Sequence, residues 1–164
     1  MMSEFPKLVV FDLDFTLWDC GGTYCDCLSP PFALRLGRVV DRRGLHVRLY
    51  NDVAAILEAC DQVGASIALA SRTEQPAWAR QLIDLLGLTD RIAFAEIYPS
   101  SKLKHFASLQ AASDLEYEEM LFFDDERRNI VEVETLGVTA IHVHDGMTTD
   151  VFQVGLDRWR DRGE

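Results

Sequence analysis

The chain has 164 residues, with 27 acidic against 16 basic side chains and a net charge of −11. At 48% hydrophobic and 26% charged residues, it belongs among folded chains and not among disordered ones. The acid excess excludes a nucleic-acid binder, which needs a basic face for phosphates, and excludes docking on an anionic membrane. No apolar run approaches the ~18 residues of a membrane helix. The first apolar stretch, Leu8 to Trp18, is broken by Asp12 and Asp14, so no secretory signal is expected and the expected compartment is the cytoplasm.

Leu8-Val9-Val10-Phe11 is a continuous apolar run ending at Asp12. A run this short reads as a strand buried on both faces. Residues 19–50 break the pattern with Gly21, Gly22, Pro30, Pro31, Gly37 and Gly44. Short β-like pieces at Arg38-Val39-Val40 and Val47-Arg48-Leu49-Tyr50 make this segment a loop plus a β-hairpin. Asp52–Val63 carries Val53, Ile56, Leu57 and Cys60 at helical spacing, and Gly64 stops it. A second run, Ile67–Ala70, ends at Ser71.

Thr73-Glu-Gln-Pro76 starts a helix with Ala77, Ile83, Leu85 and Leu86 expected inward and Gly87 as its stop. Ser101 caps a helix through Ala112. Met120–Phe123 is the third run and ends at Asp124; Arg127–Leu136 is a helix ended by Gly137. Val138–Val143 is a further strand, and a last helix spans about Thr149 to Asp161. Strands alternating with helices predict an α/β fold with a doubly wound, mostly parallel sheet and helices on both faces. The length predicts one domain over 1–164, with 19–50 as an insertion.

Ligands of open α/β sheets bind beyond the carboxyl ends of the strands. The residues at those ends are Asp12-Leu-Asp14-Phe-Thr16, Ser71-Arg72-Thr73 and Asp124-Asp125-Glu126, with Lys102 at a helix start between the last two. Two carboxylates ~4 Å apart repel by about 4 kcal/mol at an effective dielectric near 20. Such a cluster calls for a cation or for shifted pKa values. All-oxygen acidic ligands suit Mg2+, and a hydroxyl with a lysine suits phosphate oxygens. The four cysteines include Cys20, Cys25 and Cys27, whose spacings of five and two lack a fourth partner and do not match structural zinc. They are read as reduced loop thiols.

Phe11-Asp12-Leu13-Asp14-Phe15-Thr16, Ser71, Lys102 and Asp124-Asp125 together resemble the four motifs of the haloacid-dehalogenase-like superfamily. Longer strings place the closer likeness among its magnesium-dependent phosphatases: Val10–Trp18, Asp41–Gly44, Val47–Tyr50, Ala70–Thr73, Glu96–Lys102, Lys104-His-Phe106 and Phe122–Ile130. The resemblance implies a Rossmann-like core and Mg2+-dependent hydrolysis of phosphate monoesters through an aspartyl phosphate. It implies Asp12 as nucleophile and Asp14 as general acid and base. It implies Mg2+ held by Asp12, Asp14 and Asp125, with Asp124 behind them holding a water of the ion. Ser71 and Lys102 would hold the phosphoryl oxygens, with Arg72 a further phosphate or substrate contact.

The string Cys20–Cys27 departs from the subfamily, so Trp18, Cys20 and Tyr24 are expected to form a loop that tunes substrate choice. Only 35 residues separate Thr16 from Asp52, and 29 separate Arg72 from Lys102, the latter mostly spent on a core helix and a strand. Neither interval holds a full cap domain. A capless site would admit a phosphorylated small molecule, a sugar phosphate or a phosphotyrosine on a protein. The rivals are a receiver-like phosphoacceptor domain and an inactive binding module on the same fold. A receiver places its acidic pair at the first strand, whereas here that pair comes late.

Overall fold

In the computed structural model, residues 4–162 are described, so the outermost residues of the expected 1–164 domain lie outside the description. In chain order the strands and helices are β1 (Leu8–Phe11), β2 (Trp18–Asp19), β3 (Ala33–Arg35), β4 (Arg38–Val40), β5 (His46–Leu49) and α1 (Val53–Gln62). Then follow β6 (Ser66–Ser71), α2 (Pro76–Leu85), β7 (Phe94–Ile97), α3 (Lys102–Ser113), β8 (Met120–Asp124), α4 (Arg127–Glu134), β9 (Thr139–His142) and α5 (Thr149–Asp161).

Five strands form a parallel sheet in the order β7-β6-β1-β8-β9. Side chains alternate across it. Val9, Phe11, Ile67, Leu69, Leu121 and Phe123 face a core closed by α1, α2 and α5. Leu8, Val10, Ala68, Ala70, Met120 and Phe122 face one closed by α3 and α4, through Phe106, Leu109, Ile130 and Val133. Burial on both faces explains why β1, β6 and β8 read as unbroken apolar runs, whereas the edge strand β7 is only partly buried and carries Glu96. The helix α5 lies close to β8: a Cβ added at Gly155 would stand 2.5 Å from Phe123 Cζ.

Caps fall where the sequence places them. The Ser101 side chain accepts from the Lys104 amide at the start of α3, and Pro76 opens α2. The inward face of α2 differs from expectation. Ala77 is exposed, and Ala79, Leu82 and Ile83 are the buried residues. With Pro76 as the first helical residue, Ala77 lies 200° around the helix from Ala79, on the solvent side.

Residues 18–49 are richer than a loop and hairpin. They hold a four-stranded antiparallel sheet, β2-β5-β4-β3. Trp18 pairs with Leu49 and Asp19 with Arg48, while Ala33–Arg35 lies along β4. Asp41 ties the preceding loop to this sheet by accepting from the amides of Ser29, Arg43 and Leu45 at 2.9 Å each.

Candidate active site

Register alone brings three corners together. Phe11 lies beside Leu69 on one flank and Phe123 on the other, so Asp12 leaves β1 next to the ends of β6 and β8. The Asp12 amide donates to Phe123 O at 3.0 Å. The turn that follows is tight: Leu13 O accepts from the amides of Thr16, Leu17 and Trp18. Phe15 adopts φ +62°, a left-handed conformation uncommon for a bulky residue.

Asp12 is 8% exposed. Its Oδ1 lies 3.2 Å from Lys102 Nζ, and its Oδ2 accepts from Thr16 Oγ1 at 3.3 Å. Lys102 is fully buried at the start of α3. Its ammonium also lies 3.2 Å from Asp124 Oδ2, donates to Ala70 O, and stands 5.4 Å from the Phe122 ring centroid. Asp124 is fixed further by the Glu126 amide at 2.8 Å and Asn129 Nδ2 at 2.9 Å. Arg72 Nη1 donates to Asn129 Oδ1 at 3.1 Å.

Asp12, Asp124 and Asp125 each present a ligand oxygen, all within 4.8 Å of one another. Burial and then the Asp124 charge push the Asp12 carboxyl well above its ordinary range, against the pull of Lys102. Burial, with the Asp124 charge, raises Asp125 to about 6. Burial lowers the Lys102 ammonium, but Asp12 and Asp124 outweigh it and the net shift is upward. One lysine cannot neutralise three clustered carboxylates, so the donor set fits a hard dication. His142 Nε2 contacts the Asp125 backbone carbonyl at 2.8 Å and steadies that segment.

A pocket of about 290 Å³ opens over this floor, lined by Asp12, Asp14, Ser71, Arg72, Lys102 and Asp125, and also by Tyr24, Asp26, Glu74, Glu126 and Arg128. Ser71 is 2% exposed at the end of β6. Asp124 does not line the pocket and lies behind Lys102. Of the three loop residues expected to meet substrate, only Tyr24 faces the pocket; it is 48% exposed and packs edge-on against Phe15. Trp18 and Cys20 correct that expectation. Both are fully buried, because β2 folds back onto β5.

Sequence reasoning placed Thr16 at the site without a role and missed Asn129 as a support of it. Thr16 sits four residues after Asp12, and its hydroxyl was the available signal. Asn129 became visible only once α4 was placed beside β8. His105 is buried, with Nε2 at 3.0 Å from Tyr98 O. Burial and Lys102 lower it to about 4, so it is neutral and a packing residue.

The family model described as acid phosphatase matches residues 4–162. A human protein, magnesium-dependent phosphatase 1, is 46% identical over 158 residues, covering 95% of this chain and 88% of its own. A HAD-like hydrolase superfamily protein of Schizosaccharomyces pombe is 36% identical over 146 residues, covering 83% and 84%. Among solved structures, a HAD-superfamily hydrolase from Ehrlichia chaffeensis matches with a TM-score of 0.67 at 12% identity, covering 99% of this chain and 100% of that one. An N-terminal phosphatase domain from Bacteroides fragilis, complexed with Mg, gives 0.61 at 17%, covering 97% and 39%. At these identities the solved structures speak for the fold.

Proposed function

The chain belongs to the acid phosphatase family, and on that premise we propose that it hydrolyses phosphate monoesters with Mg2+ through an aspartyl phosphate on Asp12. The observation that carries this is the Asp12 carboxylate on the pocket floor, held 3.2 Å from a fully buried Lys102 ammonium. Asp12, Asp125 and the Asp14 carbonyl would hold Mg2+. When bound, the ion neutralises the carboxylates and the phosphate dianion, so that one anion can attack another.

Asp12 attacks phosphorus, the ester P–O bond breaks, and Asp14 donates a proton to the leaving oxygen. Ser71 and Lys102 bind the phosphoryl oxygens, with Arg72 beside them. Asp14 then takes a proton from the water that hydrolyses the aspartyl phosphate. Residues 1–164 form one domain in this proposal, the 19–50 segment is its insertion, and the site is capless. Phosphotyrosine, phosphoprotein and sugar-phosphate substrates all fit a pocket whose mouth is formed by single side chains. The family match favours this enzyme over a receiver-like phosphoacceptor or a silent binding module.

A cytoplasmic setting is supported by four free cysteines, and none of the described helices is long and apolar enough to cross a membrane. The testing experiment is a rapid acid quench with a 32P-labelled monoester. The label is expected on the peptide containing Asp12 and released by hydroxylamine. Label on a serine or histidine, or none at all during a measurable burst, would overturn the mechanism.

Two further outcomes are expected. Because Asp125 titrates near 6 in the metal-free protein, Mg2+ must displace a proton below that pH. Asp12, also raised and also a ligand, adds a second proton to displace, so calorimetry should show affinity falling on acidification from pH 7.5 to 5, steepening to about tenfold per pH unit or more below 6. A constant affinity from pH 5 to 7.5 would contradict it. Secondly, Tyr24→Ala is expected to reorder kcat/KM among a phosphotyrosine peptide, a phosphoserine peptide and a sugar phosphate. Its effect on para-nitrophenyl phosphate should stay within about threefold, since exposed loop side chains tune specificity on a rigid scaffold. A uniform loss across the panel would assign Tyr24 to support of the site.

A further inference from the structure

Trp18 directly follows the catalytic turn in the chain, yet it is wholly buried and cannot meet substrate. Its indole Nε1 donates to Asp14 Oδ1 at 2.8 Å. The Cys25 amide donates to the same oxygen at 2.8 Å, and Cys20 Sγ lies 3.8 Å from it. The two N–H donors both meet Oδ1, while the Cys25 thiol, which also contacts the Asp14 carboxyl, donates to Thr73 Oγ1. The backbone is locked as well: Asp14 and Trp18 form an isolated bridge, and the Phe15 amide donates to Trp18 O at 2.8 Å. Pairing of Trp18 with Leu49 fixes the Trp18 backbone in turn to β5.

From this one-sided clamp we propose that Trp18 is the positioning residue of the general acid, holding Asp14 so that its proton rests on Oδ2. The inference rests on Asp14 being that acid. Indole N–H and backbone N–H are donors only. A protonated Oδ1 would set its hydrogen against both of them, so the neutral acid carries its hydrogen on the unclamped oxygen. Asp14 is among the residues lining the pocket, which leaves Oδ2 to deliver the proton. As the ester P–O bond breaks and the Asp12–phosphorus bond forms, that proton passes to the leaving oxygen. The electron pair it leaves on Asp14 is stabilised through Oδ1 by Trp18 and Cys25. The proton lost is replaced when Asp14 later takes one from the attacking water.

A buried tryptophan also needs an acceptor for structural reasons alone. The two roles separate by leaving group, because a dinitrophenolate departs without protonation and an alkoxide does not. The test measures the rate of enzyme phosphorylation and the substrate affinity for 2,4-dinitrophenyl phosphate and for an alkyl phosphate in wild type, Trp18→Phe and Asp14→Asn. A further variant replaces the Trp18 indole site-specifically with benzothiophene, which keeps the ring shape and lacks the N–H. Loss of general-acid assistance is expected to cost about 10²-fold on the alkyl ester. The loss should fall in the rate of enzyme phosphorylation, read from the burst, with substrate affinity nearly unchanged, and that rate on the dinitrophenyl ester should change by less than about threefold; kcat also contains the shared hydrolysis step in which Asp14 is the base.

Should Trp18→Phe fold poorly, the benzothiophene variant gives the same comparison in an unchanged shape. Equal losses on both esters in the benzothiophene variant, with Asp14→Asn selective for the alkyl ester, would overturn the role of Trp18 alone. If Asp14→Asn itself shows no preference between the esters, the acid assignment falls, and the inference falls with it.

Discussion

Asp12→Asn is expected to abolish turnover of para-nitrophenyl phosphate, by more than about 10³-fold in kcat, while leaving the Mg2+-free protein at least as thermally stable as wild type. The two halves have one cause. An amide is nearly isosteric with the carboxylate but is a far weaker nucleophile and metal ligand. Burial and the neighbouring Asp124 hold the Asp12 carboxyl well above its ordinary range, so the folded state prefers it neutral. A carboxylate raised in this way costs stability once the pH exceeds its unfolded value, and the cost is relieved as pH falls through the folded one.

Asparagine is neutral at every pH, so it removes that cost and leaves Lys102 paired with Asp124 at 3.2 Å. Mg2+ should raise the melting temperature of the variant less than that of wild type, because one ligand is gone. The checks are a steady-state assay and thermal melts at pH 7.5 with and without Mg2+. Retained activity would remove Asp12 from the nucleophile role. An inactive protein melting far lower than wild type would attribute the loss to unfolding.

The central strands β1, β6 and β8 were readable because they are buried on both faces and their apolar runs carry no polar interruption until the functional residue itself, whereas the partly buried edge strand β7, with Glu96, gave no such run. Leu8–Phe11 stops at Asp12, and Met120–Phe123 stops at Asp124; the first charge in each marks both the strand end and the site. Glycines at 64, 87 and 137 marked helix ends through their positive φ, at 76°, 74° and 105°. The extra sheet was only half legible. Two residues in β2 and three in β3 are too few to display a period of two, and their strand character comes from pairing with β5 and β4.

The same shortness misplaced Trp18 and Cys20. Nearness in sequence to Asp14 suggested contact with substrate, whereas the fold turns them inward beneath Asp14. Their chemistry is therefore local: burial pushes the Cys20 and Cys25 thiols up, far from a reactive thiolate. Lys102 was legible as a motif member but not as an interior charge. Its depth follows from α3 packing through Phe106 and Leu109 against β8, which carries the ammonium under the strand ends.

That depth sets the second large effect. Lys102→Met is expected to lower stability by about 3–5 kcal/mol at pH 7.5 without Mg2+, because removing one partner strands buried charges. For a chain of this size that is a fall of roughly 8–15 °C in melting temperature. Methionine fills the aliphatic channel beside Phe122, so lost packing is a small part of the change. The pH dependence carries the assignment. The Lys102 ammonium is raised above its ordinary value, since Asp12 and Asp124 together outweigh the burial that lowers it.

A lysine shifted upward contributes stability that is fully present below its unfolded pKa, so in wild type this contribution is constant from pH 5 to 9. Without it, nothing opposes the burial and the Asp124 charge that raise Asp12. The variant then carries a larger cost for ionising the buried Asp12, and that cost is relieved as pH falls through the folded value of the group. The gap between variant and wild type should therefore narrow on acidification, and also on adding Mg2+, which replaces the missing positive charge. Activity should fall by at least about 10²-fold even with saturating Mg2+, because the phosphoryl oxygens lose a charged donor. Melting curves at pH 5, 7.5 and 9, with and without Mg2+, read all of this. A gap that stays the same at every pH would mean the loss comes from packing, and that Lys102 does not balance the carboxylates around it.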